Sequence, residues 1–208
     1  MLKGYTAAIL IAAFSALLFR IFILEAFKIP TDFMYPSLHA GDFIFVNKMA
    51  YKKFALFGPD AEPKRGDVVV FSFPNNPKKE FIKRVIAVSG DDVEMRDGEI
   101  FVNGKSILLK KPDNQHPNEF WEENDSNRYV TIWGNNAAQL SKISSIKVPQ
   151  GQMFVLGDSR SKGQDSRNWG FVSTGYIEGK AVFVWFSKSQ DQNGKLQVKW
   201  NRILKRIE

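Results

Sequence analysis

The sequence predicts a mostly β protein carried by a single N-terminal transmembrane helix, and three observations lead there. The first is a charge-free apolar run, Tyr5 to Phe19, which resumes from Ile21 to Leu24 after Arg20. Counted through Phe27, it is long enough to cross a hydrocarbon core of about 30 Å at about 1.5 Å per residue. The second is the chain after Gly41, where short apolar segments are punctuated by turn dipeptides. The third is an aromatic content of 13%, with 18 Phe and 5 Trp, which suits β-rich packing.

The elements follow in order. Residues 1–27 form the expected anchor, with Arg20 near one end, where a long side chain can snorkel to the interface. A cleavable leader, with Lys3 before an apolar Ala7–Ala16 core, is the competing interpretation, but apolar residues continue well past any cleavage point. Lys3 and Lys28 flank the run on opposite sides, so charge bias does not orient it. The β-domain is expected over 28–208. "DFIFVNK" alternates and "GDVVVFSF" is nearly continuous. "EFIKRVIAVSGD" ends in a turn, and Asp97-Gly98 joins two short strands as a hairpin dipeptide. "GQMFVLGD", "GKAVFVWFS" and "LQVKWNRILKRI" supply later strands. Between them, about 111–136 is polar, spotted with aromatics and without clear periodicity, and is expected to be a small inserted lobe or long loop.

Composition removes several classes of function. A net charge of +7 favours phosphate-bearing partners, yet the cations are scattered and no nucleic-acid motif is present. With an apolar N-terminus, a phospholipid surface is the more economical partner. Zero Cys and only His39 and His116 leave no basis for a thiolate or zinc site or a histidine-centred triad, so no metal or cofactor is expected.

Two stretches carry candidate chemistry. In "EFIKRVIAV", Lys83 and Arg84 interrupt an apolar strand. Alternation puts them on opposite faces, one toward packed interior and the other toward solvent or a carboxylate. A desolvated lysine loses basicity and can act as a neutral general base, whereas at a sheet edge Lys83 would be an ordinary surface charge. In "GDSRSKGQDSRNWGF", the triplets Asp158-Ser159-Arg160 and Asp165-Ser166-Arg167 share one loop. Carboxylate and guanidinium can pair bidentately, which would turn a polar loop into a fixed wall.

Together "FRIFILEAFKIP", "MYPSLHAGDFIFVNKMAY", "KRGDVVVFSFP", "FIKRVIAVSGDDV", "GDDVEMRDGEIFVNGK" and "VLGDSRSKGQDSRNWGFV" resemble, in order, the motifs of the type I signal peptidases. These are membrane-anchored serine endopeptidases that use a Ser/Lys dyad. The resemblance covers nearly the whole chain. It implies Lys83 as general base and Thr31 as the hydroxyl that helps hold the oxyanion. Phe27, Ile29, Met34, Leu38, Val70, Phe81 and Ile82 would line shallow pockets for small side chains. Asp158, Arg160, Asp165 and Arg167 would hold the site wall, with Arg84 pairing one of its carboxylates. The implied partners are signal peptides of preproteins and the phospholipid membrane; a member without peptidase activity would still bind such peptides or pair with an active relative. The implied location is the inner membrane, single-pass, with the main domain outside the cytoplasm.

Two departures bear on activity. Where the family reads Pro-Ser-Gly-Ser-Met, this chain reads Pro30-Thr31-Asp32-Phe33-Met34, so Phe33 occupies the nucleophile's position. Where many members carry a serine that orients the lysine, this chain has Gly163. The leading expectation is a signal-peptide-binding member whose peptidase activity is lost or much reduced. The alternatives are an active peptidase with Thr31 or Ser37 as relocated nucleophile, and a non-enzymatic envelope scaffold.

Overall fold

The structure is a computed structural model, and it describes residues 5–6, 8–14, 23–51, 62–96, 98–109, 118–134, 143–191 and 194–207. Residues 5–6 and 8–14 are helical, with Tyr5, Ile9, Leu10, Ile11 and Phe14 exposed. Among the described residues no helix is long and apolar enough to cross a membrane. Residues 1–4, 7 and 15–22 of the expected anchor lie outside the described residues. The chain is already extended at β1 (Leu24–Lys28), so residues 24–27 belong to the sheet and not to the helix predicted through Phe27.

The body is β. Its large sheet contains β1, β2 (Asp42–Asn47), β3 (Val68–Phe73), β4 (Asn76–Val88), β11 (Gln152–Leu156), β12 (Val172–Ser173) and β13 (Ile177–Gln190), in the order β1-β2-β13-β3-β4-β11-β12. β14 (Leu196–Val198) pairs with the far end of β13. A second sheet orders β10 (Ile143–Lys147), β5 (Asp92–Arg96), β6 (Glu99–Val102) and β7 (Lys105–Ser106) as β10-β5-β6-β7. β5 and β6 pair from Val93↔Val102 to Arg96↔Glu99, the hairpin that Asp97-Gly98 predicted.

The sequence patterns have their reasons in these layers. β2 alternates because one face is buried: Ile44 and Val46 are 0% exposed. β3 is continuously apolar because both of its faces are covered. Val68 and Val70 pack with Ile29, Met34, Leu38 and Ile44, while Val69 and Phe71 pack with Val85, Met153 and Val155. A third cluster, built on Ile86, Val93, Ile100, Val102 and Phe154, joins the two sheets.

The expected insertion is more regular than its polarity suggested. Residues 111–117 and 135–136 lie outside the described residues, but β8 (Glu119–Asn124) and β9 (Asn127–Ile132) form a hairpin with full register from Glu119↔Ile132 to Asn124↔Asn127. Its polar appearance has a local cause, since Glu122, Asn124 and Thr131 are buried polar groups. Loop 157–160 crosses its end, where Ile132 N–H donates to Asp158 O at 2.9 Å and Arg160 N–H to Ile132 O at 2.8 Å.

Candidate active site

β4 passes between β3 and β11, and its second half is buried, so neither Lys83 nor Arg84 is an edge charge. Lys83 is 1% exposed and Arg84 0%. The two point to opposite faces, as alternation requires, but neither reaches solvent. Arg84 takes the carboxylate alternative: its Nε and Nη2 donate to the two oxygens of Asp158, each at 2.7 Å. Its Nη1 donates to Gly66 O at 2.7 Å and its Nη2 to Ser37 Oγ at 3.1 Å, while the guanidinium lies 3.8 Å from the Tyr129 ring centroid. Burial alone would lower its pKa, but the Asp158 carboxylate outweighs that and raises it.

Lys83 has no such partner. Among the described residues its ammonium makes no hydrogen bond or ion pair, and it lies over the Phe33 ring, whose centroid is 5.2 Å from Nζ. Desolvation lowers its pKa from the ordinary lysine value to about 8, with Asp165 opposing the shift and Arg167 reinforcing it. The linkage has a definite sign. Between about pH 8 and pH 10.5 the unfolded chain holds this proton and the folded chain does not, so the burden of burying Lys83 is greatest below pH 8 and fades as pH rises. Lys83→Met should therefore stabilise the fold by about 3 kcal/mol at pH 7 relative to its effect at pH 10.5. Urea unfolding of the pair of proteins at both pH values checks this, and an equal effect at the two would overturn it.

Phe33 lies in a short 3-10 turn, Asp32–Met34, and is held from the other side by loop 157–163. Ser159 N–H donates to Phe33 O at 3.2 Å. Gly163 is at φ +82°, and a Cβ there would sit 2.8 Å from Phe33 Cγ. A Cβ at Gly157 would meet Phe33 O at 2.7 Å and Lys83 Nζ at 3.4 Å. Gly163 is thus the residue that makes room for the phenyl ring.

Neither alternative hydroxyl joins the lysine. Thr31 is exposed, with extended backbone (φ −139°, ψ 160°), and no hydrogen bond links it to Lys83. Ser37 faces the opposite side of β4, where it accepts from Arg84.

The second triplet pairs within itself, whereas the first pairs with residues elsewhere in the fold. Asp165 caps the helical turn Ser166–Trp169 and takes both Nε and Nη2 of Arg167 at 2.8 Å. Its Oδ2 also accepts from Gly157 N–H at 3.2 Å. Asp158, however, belongs to Arg84, and Arg160 reaches across to the inserted hairpin. There its Nη2 bonds Glu122 at 2.5 Å, while its Nε donates to Gly157 O at 3.0 Å. Glu122 and Tyr129 went unrecognised in the sequence. The Asn124–Asn127 turn between two aromatic-bearing segments was the available signal, since it marks a hairpin whose inward positions include both residues.

The seven residues expected to line substrate pockets divide. Ile29, Met34, Leu38 and Val70 are no more than 3% exposed and are core, with partly exposed Phe27 and Ile82 packed at its margin. Phe81 instead sits on the Lys83 face, against Phe71, Phe73 and Trp169. The first four pack in one core cluster with Ile44, Val46, Ala181 and Val184 of β2 and β13.

At the centre of the β fold lies a desolvated lysine with no hydrogen-bond partner among the described residues, backed by a carboxylate-locked loop. A model of the family "Signal peptidase, peptidase S26" matches residues 2–186. The chain is 34% identical over 202 residues to signal peptidase I of Pseudomonas fluorescens, covering 84% of this chain and 69% of that protein. It is 33% identical over 211 residues to signal peptidase I of Aquifex aeolicus, covering 83% and 80%. A solved signal peptidase I from Enterococcus faecalis V583 aligns over 58% of this chain and 97% of its own, at 29% identity and a TM-score of 0.38. The chain belongs to the S26 signal peptidase family.

Proposed function

We propose that this protein binds the signal peptides of exported preproteins beside Lys83 and cleaves them slowly or not at all. The observation that carries this reading is the Phe33 ring over the Lys83 ammonium at 5.2 Å, where the dyad needs a hydroxyl. A neutral lysine takes a proton from a nucleophile about 2.6–3.2 Å away. A phenyl ring offers neither proton nor lone pair. Phe33 keeps Lys83 desolvated while leaving it nothing to activate. Exposed Thr31 and Arg84-bound Ser37 favour a silenced site over a relocated nucleophile.

Attachment to a membrane completes the reading. The apolar run that precedes β1 anchors the chain in the inner membrane, with the β-domain on the outer face, where signal peptides emerge. Exposed Trp185, Leu196, Trp200 and Leu204 supply apolar and amphipathic contacts for a lipid surface.

The test is cleavage of a preprotein with a small-x-small site by the detergent-purified chain, beside Lys83→Ala, with signal-peptide binding measured in parallel. The expected result is binding by the unaltered chain and no turnover above buffer from either protein. Cleavage by the unaltered chain as fast as by an active signal peptidase, vanishing in Lys83→Ala, would establish a working dyad and overturn the proposal.

A further inference from the structure

The inserted hairpin and the C-terminal tail leave a gap between two strand edges. In β9 the residues alternate between facing β8 and facing away. Trp133 N–H donates to Asn118 O, which puts Trp133, Thr131 and Tyr129 on the inward register. Ile132, Val130 and Arg128 therefore turn their N–H and C=O groups outward. Loop 158–160 covers that edge at Ile132, and among the described residues nothing pairs with the backbone of Val130 or Arg128.

The tail presents a matching edge. Ile207 N–H donates to Val182 O and Val184 N–H to Lys205 O, so Arg206 opposite Phe183 turns its own N–H and C=O away from β13. Both edges line one cleft of about 390 Å³. Its apolar lining includes Trp121, Val130 and Ile207. Its charged lining is Arg128, Lys205 and Arg206 against the single carboxylate of Glu119. Arg128 already pairs with Glu123 at the surface, whereas Lys205 and Arg206 are exposed and form no ion pair among the described residues.

We propose that this cleft binds an extended acidic peptide segment of a partner protein by strand addition. The two free positions of β9 are two residues apart, about 6.8 Å, so some three residues of a guest strand would engage both. Main-chain hydrogen bonds to Val130 and Arg206 would hold the guest. Its alternate side chains would meet the apolar lining on one side and Lys205 and Arg206 on the other. The site lies on the Arg84 side of the fold, where Ser37 and Tyr129 also line the cleft, and it does not depend on whether Lys83 is active.

Fluorescence anisotropy of labelled acetyl-Glu-Val-Glu-Val-Glu-amide with the full chain in detergent tests this. Saturable binding is expected, weakened about tenfold when alternate peptide amides are N-methylated, the loss of roughly one or two net hydrogen bonds. Val130→Pro, tolerated on an edge strand, should weaken it similarly, and Lys205→Glu/Arg206→Glu should abolish the preference for acidic over basic peptide. An excess of signal peptide should leave the probe bound, which separates this inference from the proposed function. Absence of saturable binding, equal affinity for the N-methylated peptide, or displacement by signal peptide would each overturn it. So would complete displacement by phosphatidylglycerol vesicles, which would make the cleft a lipid contact.

Discussion

Phe33→Ser should raise the signal peptidase activity of this chain well above that of the unaltered protein. The hydroxyl would take the place of Phe33 Cγ, and removal of the ring would free space in front of Lys83. The lysine side chain is flexible and has no competing hydrogen bond to break, so it can close to about 2.6–3.2 Å. Desolvation lowers the Lys83 pKa to about 8 beneath the ring; opening the site should relax part of that shift, and the rate should rise with pH as the ammonium loses its proton. Lys83→Ala in the serine background should remove about 10²- to 10⁴-fold, the usual contribution of a positioned general base. Gly163 provides an internal check. In the unaltered protein Gly163→Ala introduces a Cβ 2.8 Å from Phe33 Cγ, on top of the strain at φ +82°. In the serine background only the backbone strain remains, so the same substitution should destabilise less. A Phe33→Ser protein with intact near-ultraviolet circular dichroism and no cleavage would show that the missing hydroxyl is not what silences the site.

Arg84→Ala should be the most damaging single substitution in the site, at about 3–5 kcal/mol. It strips Asp158, itself 0% exposed, of two charge-assisted hydrogen bonds and leaves an unpaired buried carboxylate. It also orphans Gly66 O and empties the space beneath the Tyr129 ring. Domains of this size are stable by about 5–15 kcal/mol, so about a fifth or more of the total is at stake. The paired replacement Arg84→Met/Asp158→Leu should recover much of the loss, because apolar groups in the same volume require no partner. The urea midpoints of the three proteins decide it: a single Arg84→Ala loss below about 1 kcal/mol would mean that the pair does not anchor loop 157–163.

How far the sequence could be read depended on the range of the interactions. Val68–Phe71, Asp42–Asn47 and the Asp97-Gly98 hairpin were legible because strand character follows from neighbouring residues. The motif order identified the family, and with it Lys83 and the anomaly at Phe33. Short-range patterns misled where a polar residue is buried. Glu122, Asn124 and Thr131 made the β8–β9 hairpin look like a solvated loop, though Arg160 and the backbone satisfy two of them. Similarly, residues 24–27 read as a continuation of an apolar helix because a run of hydrophobic residues does not distinguish a helix from a half-buried strand.

By itself the sequence determined a β-rich member of the S26 signal peptidase family. Chain-local chemistry suffices for that, since residue identity and spacing are all it requires. Only the tertiary structure decided who pairs with whom. Asp158 went to Arg84 rather than to its neighbour Arg160, Arg160 went to Glu122, and the Phe33 ring came to rest between Gly163 and Lys83. Those outcomes depend on which buried charges meet when separate strands pack. Buried charges must find a partner or lose their charge, and which partner lies within reach is a property of the packed fold.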